Sequence, residues 1–406
     1  RQPSTQELLD IAAVGGRVVE HETLLEVMGE QVGEIGADLR ELVAAGLLVP
    51  TQALDGDDAY AFRHALLLEA VYDGMLPTER RDLHRRWGAA LAAHDTAPDI
   101  GPGYLLQLSH HWRAARDPRA LAATIRAGDA AMQSYSFDVA LREFEQALLL
   151  WDDDDGEVEI DHIDLLERTT RAANLAPDFR RAIDACRAAI DELGSGDRVR
   201  ATRLRILLGR TKWITGDWSG ATPEYERALE MAPPDPPDVR VRALAGLGQI
   251  YMLEARFSEA RPYCEAAVEG AIAIGDRSLE GHGRNTLGVV LGGLGETEAA
   301  EASIETALEI ALEIGNADDI GRAYVNKGDI EFWGGEPERA FETSVEGVRV
   351  AGEWGVASSY GSYCGYGAVA YGFECGRWAE AAELLAEADR IASADVGTHA
   401  YRASYV

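Results

Sequence analysis

The sequence predicts a mainly α-helical protein, in which a separate N-terminal segment precedes a superhelix of repeated helix pairs. Three observations predict this class. Helical periodicity of apolar residues runs through most of the 406 residues. An alanine that follows a short turn recurs every 39 to 42 residues between Ala140 and Ala381. Residues 1–95 lack this repeat and contain two short extended runs.

Composition and charge limit the function classes. Hydrophobic residues make up 47% of the chain and charged residues 27%, which is ordinary for a folded protein. The chain has 70 Asp and Glu residues against 38 Lys and Arg, so its net charge is −32. Because this field repels phosphate backbones, we expect no direct DNA binding by this chain.

The chain shows no targeting signal. No stretch approaches the ~20 consecutive apolar residues of a membrane helix, and no secretory leader is present. The four cysteines form no CxxC pair, which predicts reduced thiols and a cytoplasmic protein without membrane contact. Since residue 1 is Arg and Val406 ends a helical pattern, we expect a fragment of a longer protein.

The N-terminal segment predicts three helices followed by a hairpin, which is the winged-helix order. Helical periodicity covers residues 5–15, 21–29 and 32–46, and two extended runs flank an Asp-rich turn within residues 47–65. Two further helices are predicted at 65–75 and 77–94; Pro77 suits a first helical turn. The expected hinge is 94–103, which divides a winged-helix domain at 1–95 from an array at 96–406.

The array is defined by small residues at fixed offsets. They let two antiparallel helices approach closely, and neither helix alone can bury its apolar stripe. The repeated alanines are Ala140, Ala182, Ala221, Ala260, Ala300, Ala340 and Ala381. The positions twelve residues earlier are Gly128, Thr170, Gly209, Gly248, Gly288, Gly328 and Val369. Aromatic residues predicted to plug the turns are Phe137, Phe179, Trp218, Phe257 and Trp378.

Two segments carry a family resemblance for the array. LGQIYMLEARFSEARPYCEAAVEGA at 247–271 and LGRTKWITGDWSGATPEYERALEMAPP at 208–234 resemble the tetratricopeptide repeat. The period of about 40 residues exceeds the usual 34 and resembles the long-helix variety. Ile206 and Ala245 stand where chaperone-tail-binding members have lysine, so we expect no such clamp.

A second resemblance covers roughly residues 35–150. LRELVAAGLLVP, YAFRHALLLEAVYDGMLPTERRDLHRRWGAALAAH and LSHHWRAARDPRALAATIRAGDAA resemble the region after the ATPase core in large bacterial LuxR-type regulators. Those proteins are signal-transduction ATPases with numerous domains. The resemblance implies a missing ATPase core that holds ATP or ADP and a missing C-terminal helix-turn-helix that binds DNA. It also implies that His64, with Arg63 beside it, reaches the ADP phosphates.

Cofactor sites inside the chain are not expected. A phosphate-binding loop needs Gly-Lys, and neither Lys212 nor Lys327 follows a glycine. The acidic run after Trp151 fails as a calcium loop, because tryptophan stands first and His162 twelfth. His110 and His111 point about 100° apart on a helix and cannot chelate one metal together. We expect no metal, no bound cofactor and no catalysis in this chain.

The repeat register predicts a ligand groove along the first helices of the repeats. Its predicted residues are Arg203, Arg210, Trp213, Gln249, Met252, His282, Asn285, Arg322, Asp329, Phe332, Tyr363 and Tyr366. Arginines, amides and aromatic rings suit an anionic or aromatic inducer or a peptide, although core packing would also explain each aromatic residue.

The resulting hypothesis is a sensor region of a transcriptional regulator, in which ligand binding releases the restraint of the winged helix on the ATPase core. The alternative is a protein-interaction scaffold in a non-transcriptional ATPase, cyclase or defence system. Arrays of this family often self-associate once activated. We expect weak self-association at most in this fragment.

Overall fold

The computed structural model describes residues 5–29, 35–53, 56–93, 101–153, 158–194, 196–235, 237–392 and 402. Most of the predicted hinge and part of the acidic run after Trp151 lie outside the described residues. The chain divides into two compact units, Arg1–Asp178 and Phe179–Val406. No helix within the described residues combines the length and apolar character that a membrane span needs.

The first unit begins with helices and strands in the predicted order. The helices are α1 (Thr5–Gly15), α2 (His21–Met28), α3 (Ile35–Ala44), α4 (Ala65–Gly74) and α5 (Pro77–Ala93). The strands are β1 (Val18–Glu20), β2 (Leu48–Gln52) and β3 (Asp58–Phe62), in the antiparallel order β1-β3-β2. Sequence analysis missed β1, because a strand of three residues with only Val19 buried has no recognisable alternation.

The core of this part lies between the helices and the sheet. Leu8, Ile11 and Leu24 are fully buried, and the indole Nε1 of Trp87 donates to the carbonyl of Ile11 at 2.9 Å. Helix α5 is therefore fastened to α1. Four helices complete the unit: α6 (Pro102–Ala115), α7 (Ala120–Gln133), α8 (Phe137–Leu150) and α9 (His162–Leu175).

The second unit consists of consecutive helices that pack on their chain neighbours. They are α10 (Phe179–Leu193), α11 (Arg198–Ile214), α12 (Trp218–Met231), α13 (Pro237–Leu253), α14 (Phe257–Ile274), α15 (Arg277–Gly293), α16 (Thr297–Ile314), α17 (Ala317–Trp333), α18 (Pro337–Glu353), α19 (Ser362–Glu374) and α20 (Trp378–Ile391). The first helices of successive pairs, α11, α13, α15, α17 and α19, also contact one another in turn. We call the surface that they share the first-helix face.

The repeated small residues explain the packing of each pair. The repeated glycine faces the residue sixteen positions later in the second helix. A Cβ at these glycines would lie 2.5 to 2.8 Å from that side chain, which is too close for any contact. The facing pairs are Gly128 with Phe144, Gly209 with Tyr225, Gly248 with Cys264, Gly288 with Ile304, and Gly328 with Ser344. All seven repeated alanines are buried, which agrees with the predicted close approach of the helices.

The predicted aromatic plug does not hold in every repeat. Phe257 packs on Gly293, where a Cβ would lie 2.4 Å from its ring. Trp218 and Trp378 are instead 55% and 65% exposed. The indole Nε1 of Trp378 donates to the carbonyl of Phe373 at 3.1 Å, so this ring lies over the turn from outside.

Candidate functional site

A polar cluster lies on the first-helix face where α15, α17 and the start of α19 meet. His282 and Thr286 share one face of α15 at a spacing of four residues, and Asp319 and Arg322 share one face of α17 at a spacing of three. Tyr360 joins them from a π-helical turn, Ala357–Gly361, that precedes α19. We call His282, Thr286, Asp319, Arg322 and Tyr360 the Arg322 cluster.

Arg322 is a buried cation that pairs with no carboxylate of the described residues. Only 8% of its surface is exposed. Its Nη2 donates to Thr286 Oγ1 at 2.8 Å, and its Nη1 lies 3.1 and 3.3 Å from the two ring nitrogens of His282. Within the described residues, Arg322 forms no ion pair with a carboxylate, and its remaining N–H groups have no acceptor. Burial lowers the pKa of Arg322, but an arginine side chain stays protonated in proteins.

His282 connects the two charges of the cluster. Its Nδ1 lies 2.9 Å from Asp319 Oδ1, and since a carboxylate only accepts, we place the ring proton on Nδ1. The other ring nitrogen is then free to accept from Arg322. Burial and the charge of Arg322 lower the pKa of His282, against the opposing effect of Asp319. The ring is therefore neutral at pH 7 and bridges cation and carboxylate.

Tyr360 covers the cluster. A Cβ at Gly321 would lie 2.6 Å from the Cβ of Tyr360, so only glycine lets the ring approach α17 here. Burial and the nearby carboxylate of Asp318 raise the pKa of Tyr360, so its hydroxyl remains protonated at neutral pH. Tyr363 packs edge-on against Tyr360, with ring centroids 5.9 Å apart.

Four predicted groove residues lie in or next to this cluster: Arg210, His282, Arg322 and Tyr363. Arg210 on α11 is exposed, and its charge acts on His282. Asn285 is fully buried one turn from the cluster; its Oδ1 accepts from Asn326, while its Nδ2 has no partner within the described residues.

The remaining predicted groove residues lie elsewhere on the first helices. Asp329 accepts from the Tyr371 hydroxyl, and the ring of Phe332 stacks on Tyr371 at 4.8 Å between centroids. Tyr366 is buried and donates to Asp389 of α20 at 3.0 Å. Arg203 is exposed and lies 3.4 Å from Asp238. Trp213, Gln249 and Met252 are half-buried or buried, and Trp213 and Met252 belong to the apolar core around Tyr225.

His64 and Arg63 are both exposed at the junction of β3 and α4. His64 occupies the N-cap position, but its side chain makes no capping hydrogen bond. Helix α4, which follows, contains no fully buried residue although seven of its ten residues are apolar, and Leu66 is 77% exposed. The predicted nucleotide-contacting pair thus adjoins a helix whose apolar residues are only partly buried.

Sequence analysis missed Thr286, Asp319 and Tyr360. The spacing of Asp319, Arg322 and Asn326 on one helix face was the available signal for Asp319. The position of Tyr360 could not be found that way, because a π-helical turn breaks the helical period.

Sequence analysis also missed a histidine pair in the first unit. His84 Nδ1 lies 2.9 Å from His111 Nδ1, the Tyr72 hydroxyl lies 2.9 Å from His84 Nε2, and Trp87 stacks on His111. Across the described ranges, no group of three or more histidine, cysteine, aspartate or glutamate side chains is arranged to hold a metal ion.

Comparison with known proteins identifies the class of the array. Residues 282–313 match the tetratricopeptide repeat family. With the regular helix pairs, this match shows that the chain contains a tetratricopeptide-like repeat array. No curated protein matches the chain in sequence.

Several solved structures are similar to this chain. One is a signal-transduction ATPase with numerous domains and a tetratricopeptide repeat sensor from Pyrococcus horikoshii (16% identity, 95% of this chain and 62% of that chain, TM-score 0.48). This chain thus spans 62% of that protein's length. Another is aspartyl phosphate phosphatase F from Bacillus subtilis (12% identity, 96% and 94%, TM-score 0.54). A third is the Rap conjugation gene regulator of plasmid pLS20 in complex with the Phr* peptide (14% identity, 96% and 95%, TM-score 0.51). At these identities the similarity concerns the fold alone.

Proposed function

We propose that this chain is the regulatory region of a LuxR-type signal-transduction ATPase. In this proposal the repeat array binds an inducer or a partner peptide on its first-helix face. The N-terminal part of the first unit, folded as a winged helix, restrains an ATPase core in its ADP-bound state. The four cysteines, which form no disulfide, favour a cytoplasmic location.

The observation that carries the proposal is the Arg322 cluster. A buried cation without an ionic partner costs stability, and such a cost is typical of a binding site rather than of a packing contact. Arg322 lies on the first-helix face with its donors incompletely used. A ligand that completes these contacts would shift the protein toward the state in which it binds better.

The region around His64 supports the restraining role. His64 and Arg63 form no side-chain hydrogen bond within the described residues, and the apolar helix α4 beside them is only partly buried, with Leu66 exposed. Exposed apolar surface next to a cationic arginine suits a partner domain that contributes apolar surface and phosphate oxygens. The element order α1 to β3 and the three-stranded sheet support the winged-helix assignment.

The test is the release of ADP from the full-length protein. His64→Ala removes one charged or polar phosphate contact, typically worth ~1.5–3 kcal/mol, so ADP should dissociate about ten times faster or more. Arg85→Ala, at an exposed arginine of α5, is the matched control and should release ADP at the unchanged rate. Equal ADP release rates for His64→Ala and the unsubstituted protein would refute the restraining role.

The exposed tryptophans at the turns favour a second function, that of a protein-interaction scaffold in a different ATPase system. Trp218 and Trp378 present large apolar surface away from the first-helix face. Under this alternative, replacing both with serine would abolish partner binding, whereas replacing His64 would leave ADP release unchanged.

A further inference from the structure

We propose that the Arg322 cluster, together with Arg210 and Tyr363, is a carboxylate-binding site. Arg322 and Arg210 would receive the carboxylate, and the rings of Tyr360 and Tyr363 would contact the apolar or aromatic body that carries it. This inference rests on the proposed ligand-binding role of the array and adds the chemical class of the ligand.

The guanidinium of Arg322 has N–H donors that find no acceptor within the described residues. One N–H of Nη2 is used by Thr286, and Nη1 is directed at the ring of His282. Both acceptors are neutral, so the charge of the guanidinium is balanced by no direct contact within the described residues. A buried cation is stable only when it is paired or fully hydrogen-bonded. An incoming anion would supply the missing partner.

The carboxylate beside His282 already has partners of its own. Arg322 and Arg210 act on the His282 ring as cations and Asp319 acts on it as an anion; the exposed Asp318 adds a second negative charge that acts on Arg322. Both carboxylate oxygens of Asp319 are already engaged, one by His282 and the other by the Asn316 side chain at 2.8 Å. Within the described residues Asp319 forms no ion pair with Arg322, so a monoanion would supply the first direct ionic contact of the guanidinium.

The charges around the cluster favour a carboxylate over a phosphate. A dianionic phosphate would meet the carboxylates of Asp319 and of the exposed Asp318, whose charge acts on both Arg322 and Tyr360. A carboxylate carries a single charge, and its two oxygens match the planar guanidinium fork. The protonated hydroxyl of Tyr360 can donate to a carboxylate oxygen as well.

Tyr360 lies where it can cover the cluster. The ring lies over Gly321 and is held by a π-helical turn, an irregularity that is frequent at functional sites. Such a turn can revert to regular helix by shifting one residue, which would move Tyr360 relative to Arg322. Tyr360 would therefore cover the site when no ligand is bound and contact the ligand when one is bound.

The test compares acids with their neutral amides on the purified chain. N-acetyl-phenylalanine and phenylacetate are titrated against N-acetyl-phenylalanine amide and phenylacetamide, with binding followed by NMR or calorimetry at millimolar concentrations. We expect each acid to bind at least ten times more tightly than its amide. Tighter binding of N-acetyl-phenylalanine indicates a peptide carboxylate as the natural source, and tighter binding of phenylacetate indicates a free acid. Equal binding of acid and amide, or no binding of either acid, would overturn the proposal.

Three variants locate the site. Arg322→Gln should weaken binding of the acids at least tenfold, and Arg210→Gln several-fold. Arg349→Gln is the matched control, because Arg349 is an exposed arginine on a second helix, α18, where it pairs with Glu346, and this variant should bind normally. Since Arg210 is exposed, its variant decides the question even if Arg322→Gln fails to fold. Unchanged binding by Arg210→Gln and Arg322→Gln would refute the site, whereas regulation of ADP release by His64 would stand independently.

Discussion

Two buried cations on the first helices of the second unit have opposite surroundings. Lys212 on α11 donates to Glu224 at 2.8 Å and to the carbonyl of Gly220 at 3.1 Å, while Arg205 binds the other oxygen of Glu224 at 2.8 Å. Arg322 on α17 contacts only neutral acceptors among the residues that the structure describes. The hydrogen bonds and charges at Lys212 are completed by residues of its own helix pair, so we call this contact closed. The guanidinium of Arg322 has no carboxylate partner within the described residues, so we call the Arg322 cluster open.

The difference separates packing from binding. Burial acts to raise the pKa of Glu224, but hydrogen bonds and charges from Lys212 and Arg205 outweigh it and hold the pKa below its usual range. Both charges at that contact are therefore used for the stability of the helix pair. At the Arg322 cluster the positive charge of the guanidinium lowers the stability of the folded protein. The same charge gives the site its affinity for an anion.

The largest effect is expected from breaking the closed contact. Glu224→Gln leaves Lys212 buried without its anion, and the loss of a buried partner typically costs ~3–5 kcal/mol of unfolding free energy. Urea unfolding followed by circular dichroism measures this change.

The control for this variant is Glu259→Gln, at an exposed pair with Arg256, where no measurable change is expected. A similar loss at both positions would show that the Lys212 contact is not special.

The buried pair His84 and His111 carries no charge at neutral pH and makes the unfolding free energy depend on pH. Burial, with the charges of His110 and Arg80, lowers the pKa of His84 to about 4; burial, with His84 and His110, lowers that of His111 to about 3. In the unfolded chain both titrate near 6.5. The unfolded state therefore binds more protons below pH 6.5, so stability is fully present above that pH and falls as the pH decreases toward 4 and 3.

We expect each of the two histidines to contribute a loss on the order of 3 kcal/mol between pH 7 and pH 4. Unfolding free energies measured at several pH values test it, because carboxylates contribute equally to the parent and to a His84→Phe, His111→Phe variant. The pH dependence should be smaller in the variant. Identical pH profiles would show that the two imidazoles do not share a buried contact.

The smallest effect on stability is expected at the open site. Arg322→Met replaces an unpaired buried cation by an apolar chain of similar length, which is often neutral or stabilising. We expect an unfolding free energy within about 1 kcal/mol of the parent, or above it, together with loss of carboxylate binding. A loss comparable to that of Glu224→Gln would mean that Arg322 is a packing residue after all.

The repeat itself was predictable because it depends on local size. The repeated alanines and glycines are small where two helices touch, and the structure places each repeated glycine against the residue sixteen positions later. The order of elements in residues 5–93 was predictable for the same reason, since each helix and each long strand carries its own periodicity.

The polar clusters were only partly predictable. The register placed Arg210, His282 and Arg322 on the first helices, as the sequence predicted, but Tyr366 is bonded to Asp389 and Asp329 to Tyr371. A period identifies which face of a helix a residue occupies, whereas the partner of a polar group depends on side chains that are distant in the chain.

The sequence by itself determined the helical class, the period of about 40 residues and the small residues that let the helices touch, because these follow from contacts between residues near one another in the chain. Only the tertiary structure decided which buried cation is paired. His282 and Tyr360 come from two segments outside α17, and their approach to Arg322 depends on the stacking of successive repeats. The charge balance at Arg322 is a property of that stacking and of no single repeat.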